Sequence, residues 1–252
     1  MSTPLLSAEQ WRFITRLGES QILLPAMAAV LLWLWFAAGS RTLAWRWWLG
    51  TALAVLAVTA SKVAFFGYEV GYAPLNYTGP SGHAMFACAV LPVLALLCTS
   101  GRSHAAGAWA LAVGAACAAL VAWSRVPVGA HSASEVVAGA TAGYAAALFA
   151  LHRARSRGHL PRQRIPLWMP LAVAAWLALT PSHAPPSPTH GWVVELSLAV
   201  SGRDQPYSRR EMRARYKLQL RQEAAALAAA QRAAASAAVE PGPAGRACGP
   251  AR

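Results

Sequence analysis

The chain has 252 residues, of which 56% are hydrophobic and only 12% are charged, and its formal net charge is +13. A soluble domain carries roughly twice that charged fraction, so the composition excludes an ordinary soluble globular protein. The positive charge does not indicate nucleic acid binding. Arginine lies in loops and in the tail, where membrane proteins carry it for topology and for contact with anionic lipid.

Apolar runs of membrane-spanning length predict an all-α, polytopic membrane bundle of about six transmembrane helices. The predicted spans, in chain order, are residues 20–38, 47–66, 84–99, 106–123, 133–151 and 166–180. The third and sixth are short, which indicates helices that extend beyond the apolar run or that are buried in the bundle. The first run could instead be a signal peptide, but it is longer than the usual signal core and more spans follow.

The chain is predicted to divide into a membrane-embedded bundle, residues 1–180, and a tail, residues 181–252. The tail segments are, in order, a proline-rich linker (181–188), an interfacial stretch (191–201), a basic and then alanine-rich helix (208–239) and a disordered end (241–252). The basic run is typical of a solvated helix face, with contact to lipid headgroups as the alternative.

Loop charge predicts the topology. Alternate loops carry the arginines and therefore share one side, which the arginine bias places in the cytoplasm. These arginines are Arg41, Arg46, Arg102, Arg153, Arg155, Arg157, Arg162 and Arg164. The loops at residues 67–80 and 124–132 then face outward, which for an inner-membrane protein is the periplasm. Six spans also place both termini outside, whereas the basic tail favours the cytoplasm for the C-terminus. The charges of the short loops are the better guide to topology, because long segments can cross the membrane despite their charge.

One outward loop ends in Gly79-Pro80-Ser81-Gly82-His83, directly before an apolar run. Small residues let backbone amides approach an anion, and the N-terminus of the following helix adds the positive end of its dipole. Ser81 can donate a hydroxyl, and His83 stands at the helix entrance. Taken alone, a capping serine and an interfacial histidine are the simpler interpretation.

The other outward loop begins with Ser124-Arg125 and leads to His131 and Glu135. Arginine presents planar, bidentate donors that suit phosphate oxygens. His131 and Glu135 are four residues apart, so on a helix a carboxylate there can fix the histidine tautomer and leave the other ring nitrogen as a nucleophile. Taken alone, Arg125 is typical of a snorkelling arginine, and the His–Glu pair is weak evidence for a catalytic site. The evidence is stronger because both loops are predicted to face the same side of the membrane. Lys62, near the outer end of the second span, is either snorkelling or paired with an anion.

The cysteines show no spacing typical of zinc or of a disulfide framework. Cys88, Cys98 and Cys117 fall inside predicted spans and Cys248 lies in the tail, so they are interpreted as small buried residues. No carboxylate–histidine cluster resembles a metal site, and neither a metal nor another cofactor is predicted.

Together these residues resemble the phosphatidic acid phosphatase type 2 superfamily of membrane lipid phosphatases, over roughly residues 45–151. That family has three motifs: a lysine followed by Arg-Pro, then Pro-Ser-Gly-His, then Ser-Arg-x5-His-x3-Asp. The second motif matches fully, and the third matches except that Glu135 replaces the aspartate. In the first motif Lys62 is in place, but Glu69 and Val70 stand where Arg-Pro is expected. Glu69 is expected either to point to water or to lie in the site and disfavour highly charged substrates.

The resemblance implies metal-independent hydrolysis of a phosphomonoester or pyrophosphate on a lipid. His131 would attack phosphorus, His83 would protonate the leaving oxygen and Glu135 would orient His131. The implied phosphate-binding residues are Lys62, Ser81, Gly82 and Arg125. The implied partners are the bilayer and a lipid phosphate such as polyprenyl pyrophosphate, phosphatidylglycerol phosphate, phosphatidic acid or a lipid A phosphate.

Two alternatives belong to other classes of protein. A non-catalytic lipid-phosphate-binding or transport protein could keep the fold, which the missing Arg-Pro favours and the two intact histidines oppose. A soluble vanadate-dependent peroxidase has a similar motif pattern, but the predicted membrane spans oppose it.

Overall fold

The computed structural model describes residues 6–156, 168–183 and 188–239. Within these ranges the regular structure is helical, with nine α-helices and one short 3-10 turn at Ala73–Leu75. The helices are α1 (Ala8–Arg16), α2 (Ser20–Phe36), α3 (Arg41–Tyr68), α4 (Gly82–Cys98), α5 (His104–Trp123), α6 (Ala133–Ser156), α7 (Trp168–His183), α8 (Thr189–Ser201) and α9 (Arg209–Val239).

Helices α2 to α7 occupy the positions of the six predicted spans. Four stretches in the described ranges are long and apolar enough to cross a membrane: Ala8–Phe36, Arg41–Tyr68, His104–Trp123 and Ala133–His152. Two further apolar stretches, Gly82–Cys98 and Leu171–Thr180, are shorter and correspond to the two predicted spans that are short in the sequence. The prediction of an all-helical membrane bundle is confirmed.

Helix α4 lies at the centre of the bundle, which explains why it can be short. Its sequence is apolar on every side, as expected for a helix surrounded by others. It packs against α2, α3, α5 and α6. The indole Nε1 of Trp47 on α3 donates to the carbonyl of Ala89 at 2.9 Å. Gly114 on α5 and Gly143 on α6 let their backbones approach α4 closely, since an added β-carbon would lie 2.9 Å from the carbonyl oxygen of Leu91 or 2.2 Å from that of Met85.

Helix α1 is amphipathic and was not predicted. Its start is fixed by a capping box, in which the Ser7 hydroxyl accepts from the Gln10 amide at 3.2 Å and the Gln10 side chain accepts from the Ser7 amide at 2.7 Å. No apolar run marks this helix in the sequence, although the Ser-x-x-Gln spacing is a signal that could have predicted its start. Helix α1 packs against α5 and α7.

Helix α8 packs on the end of α3. An added β-carbon at Gly67 would lie 3.0 Å from the β-carbon of Ser201 and 3.1 Å from the carbonyl oxygen of Ser197. The amide of Tyr207 then donates to the carbonyl of Phe66 at 2.9 Å. The chain forms two compact units, Met1–Ser208 and Arg209–Arg252. The sequence-based division at 180/181 assigns α8 to the tail, whereas the structure includes α8 in the first unit.

The expected linker at 181–188 is corrected in part, because α7 continues through residues 181–183. Residues 184–187, the predicted disordered end at 241–252 and the loop arginines Arg157, Arg162 and Arg164 lie outside the described residues.

The second unit contains α9. Its first half is basic and its second half is rich in alanine, and it occupies the residues where the sequence predicts a helix. An amide–carboxylate contact of 2.9 Å joins Gln219 to Glu223 one turn later on this helix.

Candidate active site

The turn before α4 is fixed to the start of α6 by backbone contacts. Ser81 is fully buried and is the N-cap of α4, where its hydroxyl accepts from the Ala84 amide at 3.4 Å. The Ser81 amide donates to the carbonyl of Glu135 at 2.9 Å. Gly139 makes this approach possible, since an added β-carbon there would lie 2.3 Å from the Ser81 carbonyl oxygen. The second and third motifs are therefore in direct contact.

Glu135 is fully buried, and hydrogen-bond donors surround its carboxylate. Its Oε1 accepts from the amide of Thr78 at 2.7 Å and from the Thr78 hydroxyl at 2.5 Å. Its Oε2 accepts from the amide of Ser132 at 3.1 Å and lies 2.7 Å from Nδ1 of His131. A buried carboxylate is costly unless it is hydrogen-bonded, and these four contacts satisfy both oxygens.

The contact with Glu135 determines the state of the His131 ring. A carboxylate with this set of donors can only accept, so Nδ1 carries the proton and Nε2 presents a lone pair. Burial lowers the pKa of His131 from its ordinary value, and this outweighs the hydrogen bond to Glu135, which raises it. The charges of Lys62 and Arg125 lower this pKa further. His131 is therefore neutral at pH 7 and can act as a nucleophile.

Arg125 begins the loop that carries His131. The loop closes on its backbone, because the amides of Ala130 and His131 donate to the Arg125 carbonyl at 3.1 and 3.2 Å. Its Nη1 donates to the hydroxyl of Thr15 at 3.0 Å. Its Nε is buried and has no hydrogen-bond partner within the described residues. The guanidinium therefore keeps an unused buried donor, and its charge acts on the ring of His131.

Lys62 and His83 complete the group. An added β-carbon at Gly79 would lie 3.4 Å from Cγ of Lys62, so the turn runs directly past the lysine stem. The charges of Arg125, His131 and Lys62 all act on the ring of His83, which places the four side chains in one neighbourhood. At Gly82 an added β-carbon would meet nothing within 4 Å, so open space lies beside this backbone. The structure thus brings together every residue singled out in the sequence: Lys62, Ser81, Gly82, His83, Arg125, His131 and Glu135.

Three residues around the site were not predicted. Thr78 binds Glu135, Thr15 binds Arg125, and Gly18 lies against His83, with an added β-carbon 3.1 Å from the His83 carbonyl oxygen. Thr15 and Gly18 are distant in sequence from the motifs, and no local pattern marks them.

Glu69 occupies a third arrangement beside the two expected for it. It is the C-cap of α3 with a left-handed backbone, φ 61°. Its carboxylate pairs with Nη1 of Arg203 at 2.8 Å, and both side chains are partly exposed. Arg203 follows Gly202, the C-cap of α8. Because α8 packs on the end of α3, this arginine lies beside Glu69.

The cysteines of the described residues are free thiols. Cys88 is buried and Cys98 is partly buried, but Cys117 is exposed on the bundle surface, which corrects the expectation of a buried residue. Cys248 lies outside the described residues. Within the described ranges no three His, Cys, Asp or Glu side chains form a group that could hold a metal ion, and the metal-free route stays a prediction.

A helical membrane bundle that gathers a buried neutral histidine, a second histidine and two cations at one end has the composition expected of a membrane-embedded phosphatase. Residues 60–158, which contain every residue singled out in the sequence, match the PAP2 superfamily. An uncharacterized 22.5 kDa protein in the cps region of Klebsiella pneumoniae is 34% identical over 204 residues, which cover 80% of this chain and 97% of the relative. The chain belongs to the PAP2 superfamily, and its general activity is that of a phosphatase. No solved structure matches the chain.

Proposed function

We propose that the protein is an integral membrane lipid phosphatase that hydrolyses a phosphomonoester or pyrophosphate through a phosphohistidine on His131, without a metal ion. The observation that carries the proposal is the 2.7 Å contact between Nδ1 of His131 and the buried carboxylate of Glu135. This contact fixes the tautomer in which Nε2 is the nucleophile, and it holds the ring by a residue that is itself fixed by three other hydrogen bonds.

The surroundings of His131 fit a phosphoryl group. Arg125 has a buried, unused Nε donor, Gly82 opens its backbone to free space, and Lys62 adds a second positive charge. Transfer of a phosphoryl group is accelerated mainly by positioning and by stabilising charge on its equatorial oxygens. Lys62, Ser81, Gly82 and Arg125 would supply these contacts.

The reaction proceeds in two displacements. The cycle starts with His83 protonated, a form that the negative charge of a bound phosphate favours. Nε2 of His131 forms a bond to phosphorus as the bond to the leaving oxygen breaks, and protonated His83 gives its proton to that oxygen and becomes neutral. Water then attacks phosphorus, His83 takes a proton from the water, and the N–P bond breaks with its electron pair returning to Nε2. The products are the dephosphorylated lipid and inorganic phosphate, and both histidines return to their initial states.

The position of the site at one end of the bundle supports a lipid substrate. A phosphate carried on a lipid headgroup reaches that end while its chains remain in the bilayer. Among the described residues, Arg41, Arg46 and Arg102 lie at the ends of α3 and α4 opposite to the site, which supports an inner-membrane protein with the site facing the periplasm. The alternative of a non-catalytic lipid-phosphate-binding or transport protein retains one supporting feature, the acidic Glu69 where the family pattern has arginine.

The test is phosphate release by the protein purified in detergent, measured on polyprenyl pyrophosphate, phosphatidylglycerol phosphate, phosphatidic acid and lipid A phosphate, with and without EDTA. We expect turnover on at least one lipid, unchanged by EDTA and inhibited by vanadate, which can mimic a five-coordinate phosphoryl group at His131. Strict dependence on added Mg²⁺ would overturn the metal-free mechanism. Binding of lipid phosphate without turnover would favour the non-catalytic alternative.

A further inference from the structure

Residues 15–19, the end of α1 together with the turn to α2 and called the turn below, contact two site residues that come from different motifs. The Thr15 hydroxyl accepts from Nη1 of Arg125 at 3.0 Å, across 110 residues of sequence. An added β-carbon at Gly18 would lie 3.1 Å from the carbonyl oxygen and 3.2 Å from the β-carbon of His83. The turn lies outside residues 60–158, the part that matches the family. Its contacts are therefore a feature of this chain beyond the shared motifs.

The turn is itself held by a buried carboxylate. Glu19 is 7% exposed, and it accepts from the side-chain amide of Gln21 at 3.0 Å. It also pairs with Nε of Arg16 at 3.4 Å. Its negative charge acts on Arg125. This arrangement places a fixed acceptor and a fixed negative charge on the side of Arg125 that faces α1.

The choice of nitrogen that Thr15 binds is informative. A guanidinium can offer two parallel N–H groups along the edge formed by Nε and Nη2, and this edge matches two oxygens of a phosphate. Thr15 engages Nη1, which lies outside that edge. The buried Nε has no hydrogen-bond partner within the described residues, as expected for an edge kept for a ligand.

We propose that Thr15 is a positioning residue of the active site, which holds Nη1 of Arg125 so that the Nε–Nη2 edge faces the phosphoryl oxygens. Gly18 allows the same turn to close on His83, so the N-terminal segment aligns an arginine of the third motif with a histidine of the second. The proposal rests on the proposed function for its effect on turnover. Its effect on the binding of a phosphate-like anion does not depend on turnover.

The test compares Thr15→Val, which keeps the shape and removes the hydroxyl, with Thr15→Ser, which keeps the hydroxyl. Thr141→Val is the control, because Thr141 is exposed on α6 and its hydroxyl donates only to the Val137 carbonyl one turn earlier in the same helix. A hydrogen bond to a charged group corresponds to a loss of about 10- to 100-fold in kcat/KM for Thr15→Val. Thr15→Ser is expected to retain activity within about threefold of wild type, and Thr141→Val to be unchanged.

A double-variant cycle separates positioning from general destabilisation. In an Arg125→Lys background the planar edge is gone, so adding Thr15→Val is expected to cost less than about twofold. Full additivity of the two losses would overturn the proposal, as would wild-type kcat/KM in Thr15→Val. Gly18→Ala is a second probe, because an added β-carbon would lie 2.9 Å from Cγ1 of Val121 and 3.1 Å from the His83 carbonyl oxygen. The turn must then shift, and kcat/KM is expected to fall by more than tenfold. Gly18→Ala replaces Thr15→Val as the test if Thr15→Val does not purify as a folded protein. In that case, wild-type kcat/KM in Gly18→Ala would overturn the proposal.

The vanadate affinity of the same variants, measured by calorimetry, distinguishes failure of this proposal from failure of the proposed function. A wild-type protein that releases no phosphate from any lipid contradicts the proposed function. Thr15→Val would still be expected to weaken vanadate binding by about tenfold or more, and unchanged vanadate affinity would overturn the positioning role.

Discussion

The guanidinium of Arg203 lies 2.8 Å from the carboxylate of Glu69, so an arginine from the C-terminal segment meets the residue that stands where the family pattern has arginine. Glu69 is seven residues after Lys62, about 10 Å along a helix of 1.5 Å rise. At that distance an uncompensated negative charge lowers the local positive potential by only about 1 kcal/mol in the partly solvated end of the bundle. The pair therefore neutralises Glu69 near the site without supplying a phosphate ligand.

We predict that Arg203→Gln lowers kcat/KM toward lipid phosphates by about two- to fivefold, because Glu69 loses its 2.8 Å ion pair with this arginine. Glu69→Gln should leave kcat/KM within about twofold of wild type, and the double variant should recover most of the loss. Arg102→Gln, an exposed arginine in the loop between α4 and α5, is the matched control. A large and substrate-dependent gain in Glu69→Gln would instead make Glu69 part of the specificity.

The spans and the motifs could be predicted because each depends on neighbouring residues. Apolar runs define α2 to α7. The four-residue spacing correctly predicts the contact between His131 and Glu135, but His131 precedes α6, and Glu135 in the first turn of that helix reaches back to it. The partners of the motif residues could not be predicted. Thr15 meets Arg125 across 110 residues and Arg203 meets Glu69 across 134, and such contacts depend on how the helices pack. A threonine or an arginine in a polar segment carries no local signal of its partner.

The two histidines are predicted to have separable roles. His131→Ala should abolish turnover, since it removes the ring nitrogen that Glu135 orients and on which the charges of Arg125 and Lys62 act. His83→Ala should lose about 10²–10⁴-fold on a lipid phosphate, the usual contribution of a general acid. Its loss should be smaller on p-nitrophenyl phosphate, whose leaving group needs little protonation. Full activity in folded His131→Ala would contradict the assignment of the nucleophile.

The pH dependence should show that His131 reacts in its neutral form. Burial and the charges of Lys62 and Arg125 lower its pKa, so the acid limb of kcat/KM is expected at a pH below the ordinary 6.5 of histidine. As the pH falls through that pKa, His131 becomes protonated and activity is lost. In Lys62→Gln one of the charges that lower the pKa is gone, so the limb should move to higher pH, together with a lower maximum. Ionisation of the substrate would give the same limb in both proteins, which makes an unshifted limb the contradicting result.

Gly139 is predicted to be essential for holding the Pro-Ser-Gly-His turn against α6. A methyl group there would lie 2.3 Å from the Ser81 carbonyl oxygen and 3.0 Å from its amide nitrogen, and backbone cannot rotate out of the way as a side chain can. We expect Gly139→Ala to lower activity by at least tenfold and to lower the Tm. Gly191→Ala on α8 is the control, since an added β-carbon there meets nothing within 4 Å. Wild-type activity and Tm in Gly139→Ala would show that the two elements are not this close.

The last prediction concerns the residue that departs from the third motif. Glu135 reaches both His131 and Thr78, with one carboxylate oxygen directed to each. Aspartate, the residue in the family pattern, is shorter by one methylene and cannot span the same two partners from the same backbone position. We therefore expect Glu135→Asp to lose about 10- to 100-fold in kcat/KM, although it restores the motif and keeps the charge. Glu135→Gln should lose more, because an amide can present its NH₂ group to Nδ1 and so favour the wrong tautomer.

A double variant tests whether the shorter side chain of Glu135→Asp keeps its contact with His131 and loses its contact with Thr78. If it does, Thr78→Val combined with Glu135→Asp should cost little beyond Glu135→Asp alone. Purified variants assayed for kcat/KM and Tm on one lipid phosphate decide the matter, and a Glu135→Asp enzyme as active as wild type would show that the contact with Thr78 has no part in holding the nucleophile.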